Sequence, residues 1–165
     1  MRLSRFLLAM SLIVALPISA SAQTHWVATM LPANEVPPNA ELSSGNFDGT
    51  LNAAQDAMTF TVTYQNLSSA MLFAHIHRGA VGVNGPIVYF LAASAQPSPF
   101  SGATDPAPAG GPTGFNPADV PDLQSGNLYA NLHTQNHTGG EIRGQLVSAV
   151  PVTPSTWGRM KDLFR

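Results

Sequence analysis

Five histidines, His25, His75, His77, His133 and His137, stand in a chain that has no cysteine. His75 and His77 are one residue apart. In a β-strand, with a rise of about 3.3 Å per residue, two such imidazoles leave the same face about 6.6 Å apart at the backbone. Rings at that spacing converge on one metal ion, which binds imidazole nitrogen at about 2.0–2.1 Å. His133 closes a second strand-like run, on the side shared with Tyr129 and Asn131. If that run neighbours the first, a third imidazole reaches the same point. An all-imidazole site suits copper or zinc, and the lack of cysteine removes thiolate ligands and disulfides from consideration. The expected ligands are therefore His75, His77 and His133, with copper as the first choice of metal and zinc as the second. The same histidines also suit a plain structural role, on a wet sheet face or bonded to backbone carbonyls.

Several neighbours are candidates for supporting such a site. His137 and Tyr129 are candidates for a fourth ligand or for groups that steady the first three. Arg78 directly follows His77, and Arg143 lies ten residues after His133 beside Glu141. These two arginines are the only cations between Gln23 and Val150. One reading makes them the positive spot that draws a small anionic or polar ligand. The other makes Arg143 a structural ion-pair partner of Glu35 or Glu141, since a buried arginine is usually paired. A separate copper- or nickel-binding pattern arises if processing leaves Gln23-Thr24-His25 at the terminus, because a free amine, two amides and one imidazole form a square plane.

The elements that must position these groups read as strands. Residues 58–64 alternate strictly, with Met58, Phe60, Val62 and Tyr64 on one side and three threonines on the other. Residues 47–51 read as its hairpin partner, across a turn at 52–57. Residues 26–30, 72–77, 128–133 and 141–147 are further strands. The continuous apolar run 87–91 reads as a central strand covered on both faces. The alternation elsewhere implies one packed and one wet face. Seven or so short strands with turn signals between them indicate a Greek-key sandwich or flattened barrel. Residues 92–126 break the pattern with many Pro and Gly residues, and a connection that long is functional or a plain surface excursion. Within it, Asn116 and Pro117 have the types expected at the cap and first position of a helical turn.

Composition bounds the setting. Arg2 and Arg5, the apolar run 6–18 and the small residues Ala20-Ser21-Ala22 form a secretory signal peptide over 1–22. The apolar run falls short of the roughly 20 residues a spanning helix needs, so export to the periplasm or the exterior is expected, with no membrane span. The body from Gln23 to Val150 carries two cations against eight carboxylates, a balance that repels phosphate backbones and excludes nucleic acid. Residues 23–150 read as one domain. Pro151 and Pro154 open a linker to a short tail over 151–165, with Trp157, Met160 and Phe164 on one side, that docks weakly or frays.

Five ordered motifs give the chain a resemblance to a known family. They are Leu31-Pro32-Ala33-Asn34-Glu35-Val36-Pro37-Pro38, Ala74-His75-Ile76-His77-Arg78-Gly79, Gly82-Val83-Asn84-Gly85-Pro86-Ile87-Val88, Gly126-Asn127-Leu128-Tyr129-Ala130-Asn131-Leu132-His133-Thr134 and Gly139-Gly140-Glu141-Ile142-Arg143-Gly144-Gln145-Leu146. Over residues 26–147 the chain resembles the CHRD (chordin) domain family. The resemblance implies an all-β, Greek-key immunoglobulin-like β-sandwich similar to copper–zinc superoxide dismutase. The likeness to that enzyme stops at the H-x-H strand, the later strand histidine and the C-terminal arginine, because the histidine- and aspartate-rich zinc loop and the disulfide are missing. Three functions follow as expectations. The first is a metal-binding protein, the second a non-enzymatic module that engages a protein partner through residues 92–126 or the tail. The third is a redox enzyme acting on a small oxygen species at the same histidines, with Arg143 or Arg78 attracting the anion.

Overall fold

The structure is a computed structural model, and it describes residues 22–104 and 114–149. Residues 1–21 of the expected export signal and the whole of the expected tail lie outside these. Among the described residues, nine strands form two antiparallel sheets: β1 (Thr24–Met30), β2 (Ser44–Leu51), β3 (Met58–Gln65), β4 (Met71–Arg78), β5 (Ile87–Ala92), β6 (Phe100–Ala103), β7 (Leu128–Thr134), β8 (Ile142–Gln145) and β9 (Val147–Ser148). A short α-helix, α1, spans Val120–Gln124. The five-stranded sheet has the order β6-β3-β2-β1-β9 and the four-stranded sheet the order β5-β4-β7-β8.

The period-two pattern explains the core. Met58, Phe60 and Val62 of β3 face inward, as do Phe47 and Leu51 of β2 and Trp26, Ala28 and Met30 of β1. From the other sheet, Ala74 and Ile76 meet them with Leu128, Ala130, Leu132 and Ile142. Burial of this apolar surface, at roughly 25 cal/mol per Å², is the main force holding the two sheets face to face. A backbone bridge links them where Leu31 and Arg143 exchange bonds of 3.0 and 3.3 Å. Gly144 follows at once, and a Cβ there would sit 2.4 Å from the Thr29 carbonyl oxygen, so only glycine fits.

Four expectations change. The run at 87–91 is no central strand: β5 lies at the sheet edge, and Ile87 is exposed. Its apolar character serves both faces, with Tyr89 and Leu91 turned to the core and Phe90 over the histidines. β7 has no wet face; all seven residues are buried, because loops cover its polar side. The expected last strand is two, β8 and β9, which belong to different sheets. The long connection at 92–126 is built in where described. β6 pairs with β3, and Phe100, Phe115, Val120 and Leu123 are buried in the core. Its helical turn starts as the residue types predict, with the Asn116 side chain accepting from the Ala118 N–H at 3.0 Å and Pro117 at the first position.

One buried carboxylate ties two turns together. Glu141 accepts from the Ser68 N–H (2.8 Å), the Ser68 hydroxyl (2.7 Å) and the Thr134 hydroxyl (2.6 Å). Burial alone would raise its pKa, but the bonds from Thr134 and Ser68 outweigh that and hold it below the usual value. Glu141→Gln places an amide among donors. It is expected to cost roughly 3 kcal/mol and lower Tm by roughly 10 °C in a thermal melt. An unchanged melt would mean that this carboxylate does not hold the turns.

Candidate metal centre

β4 and β7 are antiparallel neighbours in which Phe73 faces His133, His75 faces Asn131 and His77 faces Tyr129. Alternation puts Ala74 and Ile76 in the core and sends His75 and His77 to the opposite face, while His133 lies diagonally across from His75. The three rings meet there. Centroids are 4.9 Å apart for His75 and His133, 5.6 Å for His75 and His77, and 5.7 Å for His77 and His133. One nitrogen from each comes within 4.8 Å of the others. All three side chains are buried.

Backbone carbonyls orient two of the rings. His77 Nδ1 is 3.0 Å from the Gly85 carbonyl oxygen, and His133 Nδ1 is 3.0 Å from that of Thr138. A carbonyl only accepts, so each Nδ1 carries the proton and each Nε2 keeps its lone pair. Both Nε2 atoms are buried without a partner, as are both ring nitrogens of His75. Burial is the first cause that keeps the imidazoles neutral. It pushes His75 down to about 4, with His133 and His77 adding repulsion. It lowers His77 and His133 against the opposing carbonyl bonds. Neutral, partnerless nitrogens turned toward one another are what a metal ligand set requires, and in water-free surroundings they are otherwise costly.

The surrounding residues hold the frame. Tyr129 stacks on His77 at 5.0 Å, with the planes 7° apart. The Arg143 guanidinium lies 3.6 Å from the Tyr129 ring centroid. Arg143 donates to Asn84 Oδ1 (2.9 Å) and to the Val83 and Ala80 carbonyls (2.6 and 3.3 Å). Tyr129 Oη accepts from the Gly85 N–H at 3.1 Å. Together these bonds fold the loop after β4 down over His77 and deliver the Gly85 carbonyl. Gly85 has no alternative there, as a Cβ would lie 1.6 Å from the Arg78 carbonyl oxygen.

The other candidates lie elsewhere. The proposed ion pair of Arg143 with Glu35 or Glu141 does not form: no carboxylate is within 4.0 Å of its guanidinium among the described residues, and neutral acceptors take its donors. Glu141 serves the turns described above. Arg78 turns to the segment before β7, pairing with Asp119 and, at 2.9 Å, with Asp122. His137 meets Glu41 at 2.9 Å, and His25 meets Asp48 at 2.8 Å on the other sheet. Neither joins the cluster.

Sequence reasoning passed over Phe73 and Phe90, and gave no sign that Glu35 is buried beside Asn131. Phe73 and Phe90 pack against His75 at 6.0 and 4.7 Å. The spacing of Phe73, two residues before His75, was the available signal. Glu35 is 5 % exposed, and burial pushes its carboxyl up to about 7 despite the Arg143 charge and a bond from Asn131. No local pattern signals that burial, because it comes from residues far along the chain.

A CHRD domain family model matches residues 26–146. The comparisons with curated proteins and with solved structures each return no match. Among the described residues, no helix is long and apolar enough to cross a membrane. With the family model spanning all nine strands except the tip of β1 and β9, the chain belongs to the CHRD domain family.

Proposed function

We propose that this protein binds a single transition-metal ion, copper first and zinc second, through His75, His77 and His133, and that it does so after export. The observation that carries the reading is the set of buried ring nitrogens without partners, facing one another from two adjacent strands. A structural role gives no reason to leave them so, since each costs free energy until something binds it. Gly85 and Thr138 hold two imidazoles in the binding tautomer, and Phe73 and Phe90 limit water. A bound copper ion would supply one-electron chemistry or simple storage at this point. Export is supported by Arg2, Arg5, the apolar run 6–18 and Ala20-Ser21-Ala22. The Greek-key, superoxide-dismutase-like arrangement belongs to this proposal and is supported by the pairing of an H-x-H strand with a later histidine strand in an antiparallel sheet.

The test is calorimetric titration of copper and zinc into the purified protein and into His75→Ala and His133→Ala. The wild type is expected to take one ion at submicromolar Kd, and each variant to bind more than ~100-fold more weakly. Isotherms that do not change in either variant would refute a shared site.

A further inference from the structure

We infer that the three-histidine site is built for a monovalent ion, copper(I), over divalent ions, and that Phe73 and Arg143 set that preference. The inference rests on the metal-binding reading above. Three observations carry it, all of them about charge and what surrounds the cluster.

The ligand set is neutral. The cluster consists of three imidazoles with no carboxylate among the described residues. A divalent ion bound there would keep both of its charges in a buried place, with no carboxylate among its ligands to offset them. A copper(I) ion brings one.

A fixed cation stands behind the site. Arg143 is 1 % exposed, has no carboxylate within ion-pair distance among the described residues, and reaches His77 through one aromatic ring. At a separation of the order of 10 Å and an effective dielectric constant of about 20, each added unit of charge on the bound ion lowers affinity by more than ~10-fold. Doubling the charge doubles that penalty in free energy.

The cover is apolar. A divalent ion on three protein ligands completes its shell with water or hydroxide, which needs hydrogen-bond partners of its own. On the His75 side it would meet the rings of Phe73 and Phe90. Copper(I), a closed-shell ion satisfied by few ligands, requires no such water.

Phe73 makes the inference testable. It is 41 % exposed, stacks on His75 and lies directly across from His133. Phe73→Glu therefore adds a carboxylate beside the cluster at a position that tolerates a polar group, and Phe73→Gln adds the same bulk without charge. Copper(I), copper(II) and zinc(II) are each titrated against chelators of known affinity, copper(I) without oxygen, into the wild type, both variants and His75→Ala. The wild type is expected to bind copper(I) at least ~100-fold more tightly than zinc(II). F73E is expected to narrow that gap by ~10-fold or more, mainly by tightening the divalent ions, and F73Q, which removes the apolar cover without adding charge, to narrow it by much less. Equal or tighter zinc binding by the wild type overturns the inference, as does an F73E ratio that does not move. A wild type that binds no ion, or a His75→Ala variant that binds like the wild type, instead overturns the metal-binding reading itself.

Discussion

His75→Leu is expected to make the metal-free protein more stable, by about 1–2 kcal/mol, while abolishing metal binding. Both ring nitrogens of His75 are buried without a partner. An orphaned buried polar group costs on the order of 1–3 kcal/mol, and leucine has none to satisfy. The neighbours it would touch, Phe73 and Phe90, are apolar, and a leucine side chain is close enough in volume for the packing change to be small. Urea unfolding of chelator-treated wild type and variant gives the first half of the prediction. Repeating it with copper gives the second: the wild type gains about 4 kcal/mol at a free concentration a thousandfold above Kd, and the variant gains nothing. A variant less stable than the metal-free wild type would place His75 among the residues that hold the fold, and the functional reading would lose its main support. The opposite sign, stability gained where binding is lost, marks a residue kept for what it binds.

The strands were legible because period-two burial leaves a strong mark. Met58, Phe60 and Val62 against Thr59, Thr61 and Thr63 admit one interpretation, and the structure places them on opposite faces. The H-x-H spacing was legible for the same reason, since residues two apart in any strand share a face. That His133 would meet them depended on β4 and β7 being neighbours, and a single sequence does not state strand order. The family resemblance supplied it. What escaped were the long-range polar partners. Arg143 binds the carbonyls of Val83 and Ala80, and backbone carbonyls carry no sequence signature at all. The charge-pairing rule pointed to Glu35 or Glu141 instead. It failed because Glu141 is fully engaged by Ser68 and Thr134, and Glu35 is buried beside Asn131. The edge position of β5 was hidden too, since an edge strand whose outer face covers aromatic rings is as apolar as a central one.

The pH dependence of the metal-free protein sets these groups against one another. His75 has its pKa lowered from 6.5 to about 4, chiefly by burial, so between those values the unfolded chain takes up a proton that the folded one refuses. Its contribution to stability is present above pH 6.5 and is lost as pH falls toward 4, by roughly 3 kcal/mol. His77 and His133, also lowered by burial, act in the same direction. Glu35 acts oppositely. Burial raises it from 4.5 to about 7, so the folded carboxyl takes up its proton first. Its contribution is fully present below pH 4.5 and is lost as pH rises through 7. Acidification from pH 7 to 5 therefore weakens the fold through three imidazoles while Glu35 offsets part of the loss. Glu35→Gln keeps the shape but removes the titration. Over that interval the variant is expected to lose roughly 2 kcal/mol more stability than the wild type, so the difference between the two moves toward the wild type as pH falls from 7 to 5. Urea midpoints at half-unit steps of pH would show it. Parallel curves would mean that Glu35 is ionised in the folded protein at pH 7 and serves as the counter-charge of Arg143, which would remove the fixed positive field behind His77 and with it one of the three arguments for copper(I).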